Sequence, residues 1–104
     1  MKLVYVAGPY QGKTINETFE NIIKARAAAY KLWQQGYAVI CPHMNSAFMD
    51  GANIDATCQM FYDGDLEMLG RCDAIYMMQG WRESVGSRKE YQQEIELRLE
   101  VILE

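Results

Sequence analysis

Two acidic stretches are where this sequence could do chemistry. Glu90 closes "SVGSRKE", Ser84 to Glu90. The stretch falls at an expected strand-to-helix junction, where unpaired N–H groups and a partly positive dipole end face an anion. Gly86 lets backbone approach a ligand closely, and Glu90, four residues on, can turn its carboxylate back into a crevice. Asp63 and Asp65, in "YDGDLEM", precede a helix-to-strand passage. Two carboxylates from separate elements suit cleavage of a glycosidic bond. One attacks or stabilises the anomeric carbon while the other manages a proton on the leaving group. At two-residue spacing Asp63 and Asp65 cannot share one helical face, so one of them is a solvated bystander. The plainer reading of Ser84 and Glu90 is a helix start, capped by a hydroxyl and complemented by an acid.

A second stretch, "AGPYQGKT" (Ala7 to Thr14), contains Gly-Lys-Thr after an apolar run. A phosphate-cradling P-loop needs four residues between its first glycine and its Gly-Lys pair. Here only Pro9, Tyr10 and Gln11 separate Gly8 from Gly12, and Pro9 has no N–H to give. The turn is one residue short and one donor poorer than a triphosphate cradle. His43, the single histidine, follows Pro42 at an expected strand end, where imidazole could protonate a base nitrogen near neutral pH. Without metal partners it is otherwise a plain loop residue. Trp81 and Phe48 lie in loops from which a ring could stack on a nucleobase or simply be buried, whereas Trp33 continues a helix's apolar face and reads as core.

The elements that must position these residues alternate. "KLVYVAG" reads as a buried strand stopped by Gly-Pro. Thr14 and Glu17 form a capping box, followed by a helix to about Gln35. Its expected apolar face is Phe19, Ile22, Ile23, Ala27, Tyr30 and Leu32/Trp33, with Gly36 as its stop. "YAVICP" is a second strand, and residues 43–54 read as an active loop or lid. Residues 55–70 return to helical periodicity, "CDAIYMMQ" is a third strand, and another helix runs from about Gly86 to Leu97. The tail reads as a short fourth strand through Val101, Ile102 and Leu103, or as more of that helix. Strand–helix alternation predicts an α/β fold, a three-layer flavodoxin-like parallel sheet of about four strands in one domain over residues 1–104. Ligands of such sheets sit beyond the carboxyl ends of the strands. That gathers the loop from Gly8 to Gly12, the segment after Pro42, and Gln79 to Ser87.

Composition narrows the partners. The chain has 104 residues, half of them apolar, and a net charge of −4 without a basic block. Polymeric nucleic acid is therefore not an expected partner. No apolar run approaches the ~20 residues of a membrane span, and "MKLVYVAG" is too short for a secretory signal. Cys41, Cys58 and Cys72 are too widely and irregularly spaced for a disulfide framework or a zinc site, as expected of reduced thiols in a cytoplasmic protein.

Three stretches in register, "VYVAGPYQG", "DLEMLGRCDAIYMM" and "SVGSRKE" with its S-x-G-x-x-x-E spacing, resemble the nucleoside 2-deoxyribosyltransferase superfamily over nearly the whole chain. That superfamily includes deoxyribonucleoside 5′-monophosphate N-glycosidases and small, often phage-borne members. The resemblance implies Glu90 as the nucleophile that forms a glycosyl-enzyme intermediate, and Asp65 as the group that assists base departure or positions the sugar. It implies Tyr5 as a hydrogen-bonding neighbour of the nucleophile. Gly8, Pro9, Gly12, Ser84 and Gly86 would hold the sugar's 5′ end or its phosphate, with His43 and Trp81 as further substrate contacts. It implies a small-molecule nucleoside or nucleotide as partner, and neither metal nor organic cofactor. Pro9 stands where a serine is common and Gln11 where an arginine is common, which weakens the monophosphate case. Ser84 stands where transferases often have aspartate and is closer to the hydrolases. Fuller members continue to a fifth strand; a sheet ending at the fourth leaves an edge to cover, which favours a homodimer. A non-catalytic nucleotide-binding module of the same fold is the alternative.

Overall fold

The computed structural model describes residues 1–46, 54–83, 88, 91–92 and 99–104. The elements are β1 (Leu3–Ala7), α1 (Ile15–Gln34), β2 (Ala38–Ile40), a single-turn α2 (Pro42–Asn45), α3 (Ile54–Leu69), β3 (Ala74–Met77), a 3₁₀ turn at Trp81–Glu83, and β4 (Glu100–Leu103). The four strands form one parallel sheet in the order β2-β1-β3-β4, the flavodoxin-like arrangement. The tail is thus a strand, with Ile75 level with Val101 and Met77 level with Leu103.

The period-two alternation of β1 divides the core. Val4 and Val6 face one side of the sheet, where they pack with Ala74, Tyr76 and the α1 residues Ala25, Ala28, Ala29 and Leu32. Tyr5 and Ala7 face the other, with Ile75, Met77 and Leu69 of α3. Consequently α1 and α3 cover opposite faces. The chain steps one way from β1 to β2 and the other way from β2 to β3, so right-handed crossovers put successive helices on opposite sides. Each of Tyr5, Val4, Val6, Ile75, Met77 and Leu69 is fully buried, a contribution of roughly 1.5–3 kcal/mol for a large apolar side chain.

The helix α1 begins as its sequence says. The Glu17 N–H donates to Thr14 Oγ1 at 3.1 Å. In return Glu17 Oε2 accepts the Lys13 N–H at 2.6 Å, one residue earlier than a capping box would have it. Gly36 ends the helix with φ +95°, a conformation that favours glycine. The buried face is the expected one only at Ile22 and Leu32. Ile22, Ala25, Ala28, Ala29 and Leu32 are buried, whereas Phe19, Ile23, Tyr30 and Trp33 are exposed by 42–65 %. Alanines face the sheet because they let the helix axis approach it closely. The larger side chains lie on a flank that clears it.

Residues 43–54 also differ from a plain loop, because Pro42–Asn45 form a helical turn with the proline at its start, where the lost N–H costs nothing. α3 matches the expected helix, with Met60 60 % exposed. Residues 47–53, including Phe48, lie outside the described residues. So does most of the helix expected between Gly86 and Leu97, of which Arg88, Tyr91 and Gln92 are described and helical.

Close approach of α1 to the sheet has a measurable consequence. Ala25→Leu forces a larger side chain between helix and strands and should lower stability by about 1–3 kcal/mol, read by urea denaturation. An unchanged midpoint would show that the helix does not lie tightly on the sheet.

Candidate functional site at the switch between β1 and β3

Strand order reverses between β1 and β3, and the loops leaving these two strands meet there. The Met78 N–H donates to Ala7 O at 2.8 Å, continuing the ladder past β3. A Cβ on Gly8 would lie 2.6 Å from Met78 Sδ and 2.8 Å from its Cβ, so the residue after β1 must be glycine. Gly80, at φ +86°, comes close to Pro9, whose Cγ would be 3.3 Å from a Cβ at position 80. The two loops form one packed rim.

The Gly8–Gly12 turn spends its backbone groups on its own surroundings. The Gly12 N–H donates to Thr18 Oγ1 at 2.9 Å, and the Lys13 N–H goes to Glu17. Tyr10 O accepts from Asn21 Nδ2 at 3.0 Å, and Pro9 O lies 2.7 Å from His43 Nε2. In a phosphate cradle successive N–H groups point outward at the anion. Here two of them point into the first turn of α1. The turn is a fixed lip, built in part by side chains the sequence reading did not single out, Thr18 and Asn21. Their polar groups at the start of a helix that follows a loop were the signal available.

His43 lies beneath this lip. It is 5 % exposed, with its ring edge-on to Tyr10 at 5.7 Å between centroids. Burial disfavours the cation and holds its pKa below the usual histidine value, opposed by the Pro9 and Gly8 carbonyl groups. A neutral ring donates its Nε2–H to Pro9 and leaves Nδ1 as an acceptor, which is buried and has no hydrogen-bond partner among the described residues. As placed, the histidine ties the start of α2 to the lip.

On the α3 face of the sheet the structure gathers three sequence-identified groups. Tyr5 is fully buried there, packed with Leu69, Ile75 and Met77, with Leu66, Trp81 and Tyr91 half-buried around the same cluster. Asp65 stands one turn before Leu69, hence on the same side of α3. It is half-buried, and burial pushes its pKa up to about 6. Asp63, in contrast, is exposed and accepts from Gln59 Nε2 at 2.8 Å along the helix. The two aspartates do face different ways, and Asp65 is the one turned toward the core. Trp81 has Tyr91 against it at 4.7 Å and the Arg82 guanidinium 4.8 Å from its ring centre. Arg82 is otherwise exposed, as is Arg88.

Beside Trp81, a recess of about 280 Å³ opens at the carboxyl ends of β3 and β4, bounded by Gly80, Arg82, Glu83, Leu103 and Glu104. Glu104 is held there by the Tyr76 hydroxyl at 3.0 Å and the Gln79 N–H at 3.1 Å. Burial first, then the Glu104 carboxylate, pushes the Tyr76 phenol up to about 12. Ser84, Gly86 and Glu90 lie outside the described residues. Among the described residues Cys41 and Cys72 are free thiols, and no helix is long and apolar enough to cross a membrane.

The model of a family described as Domain of unknown function (DUF4406) matches residues 2–103. In three dimensions the chain is similar to the 2-deoxyribosyltransferase from the psychrotolerant bacterium Bacillus psychrosaccharolyticus. The TM-score is 0.67 at 19 % identity, over 97 % of this chain and 70 % of that one. The fold implied by the sequence resemblance is therefore the fold observed. No curated protein matches by sequence.

The raised Asp65 pKa fixes the sign of a pH effect on stability. The folded protein binds this proton more tightly than the unfolded chain, where an aspartic acid titrates near ~4. Folding is favoured while the group is protonated, and that contribution is lost as pH rises from about 4 through about 6. Asp65→Asn should therefore be more stable than the parent protein at pH 7.5 and show no such gain at pH 4, measured by urea denaturation. Equal stability at pH 7.5 would mean that the carboxylate is as well hydrated folded as unfolded.

Proposed function

The chain belongs to the DUF4406 family, and from the fold it shares with a 2-deoxyribosyltransferase we propose that it breaks or exchanges the N-glycosidic bond of a nucleoside or its 5′-monophosphate. Asp65 carries the proposal. It is a half-buried carboxyl with its pKa raised to about 6, one turn from a leucine that packs on Tyr5. A carboxyl in such surroundings can stay protonated close to neutral pH and deliver its proton to a departing base.

In the proposed reaction the Glu90 carboxylate attacks C1′ of the sugar. The C1′–N bond breaks as the Asp65 proton passes to the base nitrogen, and the base leaves neutral. A glycosyl ester on Glu90 remains. Attack on it by water gives the free sugar, and attack by a second base gives an exchanged nucleoside; either restores the Glu90 carboxylate, and the proton lost by the attacking group returns to Asp65. Tyr5, buried under the same cluster, would hydrogen-bond the Glu90 carboxylate and keep it aimed. The lip at Gly8, Pro9 and Gly12, with Ser84 and Gly86 opposite, would bound the sugar's 5′ end. With the Gly12 and Lys13 N–H groups already used, the lip is better suited to a 5′-hydroxyl or a single phosphate than to a triphosphate. Ser84, where transferases often have aspartate, favours water as the acceptor. The chemistry requires a small-molecule substrate and no metal or organic cofactor, and suits a protein of the cytoplasm.

A panel of ribo- and deoxyribonucleosides and their monophosphates, with and without free bases, tests the reading by chromatography of released base. Glu90→Ala should abolish release with an unchanged fold by circular dichroism, and Asp65→Asn should lower kcat/KM about 10²–10⁴-fold. Because the protonated Asp65 is the active form, kcat/KM should fall as pH rises above about 6. Full activity in Glu90→Ala would overturn the assignment. Ligand-induced thermal stabilisation without any base release would instead favour a binding module of the same fold.

A further inference from the structure

Helix α1 carries a second apolar stripe that its own protomer leaves exposed. Ile15, Phe19, Ile23, Tyr30 and Trp33 are each 42–78 % exposed. At about 100° per residue they fall within an arc of roughly 80°, on a flank well round the helix from the alanines that meet the sheet. The helix has 20 residues, so the stripe runs along most of a rod about 30 Å long. Three aromatic rings and two isoleucines at this exposure present several hundred Å² of apolar surface. A soluble monomer seldom shows so large a continuous patch. With its polar margins, such a stripe approaches the roughly 800 Å² per partner of a stable interface.

The charges beside the stripe select the occupant. Glu20 lies on one margin of the stripe in the first half of α1 and Lys31 on the same margin in the second, while Arg26 falls within the stripe at its middle. We infer that α1 is the contact face of a homodimer in which two copies of this helix pack antiparallel about a two-fold axis. A two-fold perpendicular to the helix reverses the second copy, so Glu20 of each helix comes to Lys31 of the partner subunit. A parallel pairing would stack like on like. Glu20 and Lys31 lie on the same margin of the stripe, and a two-fold axis keeps that margin together in both copies. With the axis beside Ala25 and Arg26, Glu20 stands opposite Lys31 of the partner subunit, and the same pair forms again on the other side. Phe19 then falls between Tyr30 and Trp33 of the partner subunit. Ala27, near the crossing, keeps that margin narrow, and Arg26 has the stem length to carry its guanidinium clear of the seam.

This surface is separate from the rim at β1 and β3, so its test is independent of any activity. Sedimentation of the 104-residue chain at tens of micromolar should give a dimer. Tyr30→Glu and Trp33→Glu should each give a monomer with unchanged far-UV circular dichroism and cooperative melting. Glu20→Lys should weaken the dimer about ten-fold at low salt, and the double change Glu20→Lys with Lys31→Glu should restore it. A monomeric parent protein, or a dimer that survives Tyr30→Glu and Trp33→Glu, overturns the proposal. Failure of the double change to restore association overturns the antiparallel arrangement.

Discussion

The structure depends on the parallel pairing of β1 with β3. These two strands are covered on both faces, and their side chains alternate between the α1 layer and the α3 layer, so each supplies both halves of the core. Their first residues are tied by Asp73, whose N–H and carboxylate bond the carbonyl and N–H of Leu3, both at 2.8 Å. Their last residues deliver two loops to one place, with Gly8 against Met78 and Pro9 against Gly80. Strand order reverses at this pair, and among the described residues no helix covers the carboxyl ends of these strands. A crevice is the geometric result of two helices leaving in opposite directions.

What surrounds that crevice is stiff where it is polar. The lip after β1 has its backbone groups bonded to Thr18, Glu17, Asn21 and His43. Such a lip can shape a pocket without rearranging when a ligand arrives, which reduces the ordering cost of binding. Across the sheet face, Tyr5 and Asp65 sit in apolar surroundings where a proton and a negative charge are both sensitive to small changes. Burial raises the pKa of Asp65, while Asp63, two residues earlier, faces water. Helical geometry alone separates their roles.

The helix on the opposite layer shows the other use of spacing. Its alanines meet the sheet and its large apolar residues do not. Apolar surface area ranks Phe19, Tyr30 and Trp33 above alanine and so points to the flank that the sheet does not cover. The distance between a helix axis and a sheet is set by the smallest side chains that can fill it, and a face with three alanines allows a close approach.

The strands, the ends of α1, and the order of elements were legible from residues 1–104, because each rests on local rules: β-branched runs, a Thr-x-x-Glu start and a glycine at positive φ. The fourth strand was legible from Val101 to Leu103 for the same reason. The choice of Asp65 over Asp63 was half legible: their separation followed from helical period, but which one faced the core did not. Other matters were decided only by tertiary structure: which face of α1 is buried, that His43 is buried under Pro9, and that the Gly12 and Lys13 N–H groups turn inward. Each depends on what lies across a gap from the residue. Local chemistry specifies how a segment bends, but burial and hydrogen-bond partners are properties of segments far apart in the chain brought into contact.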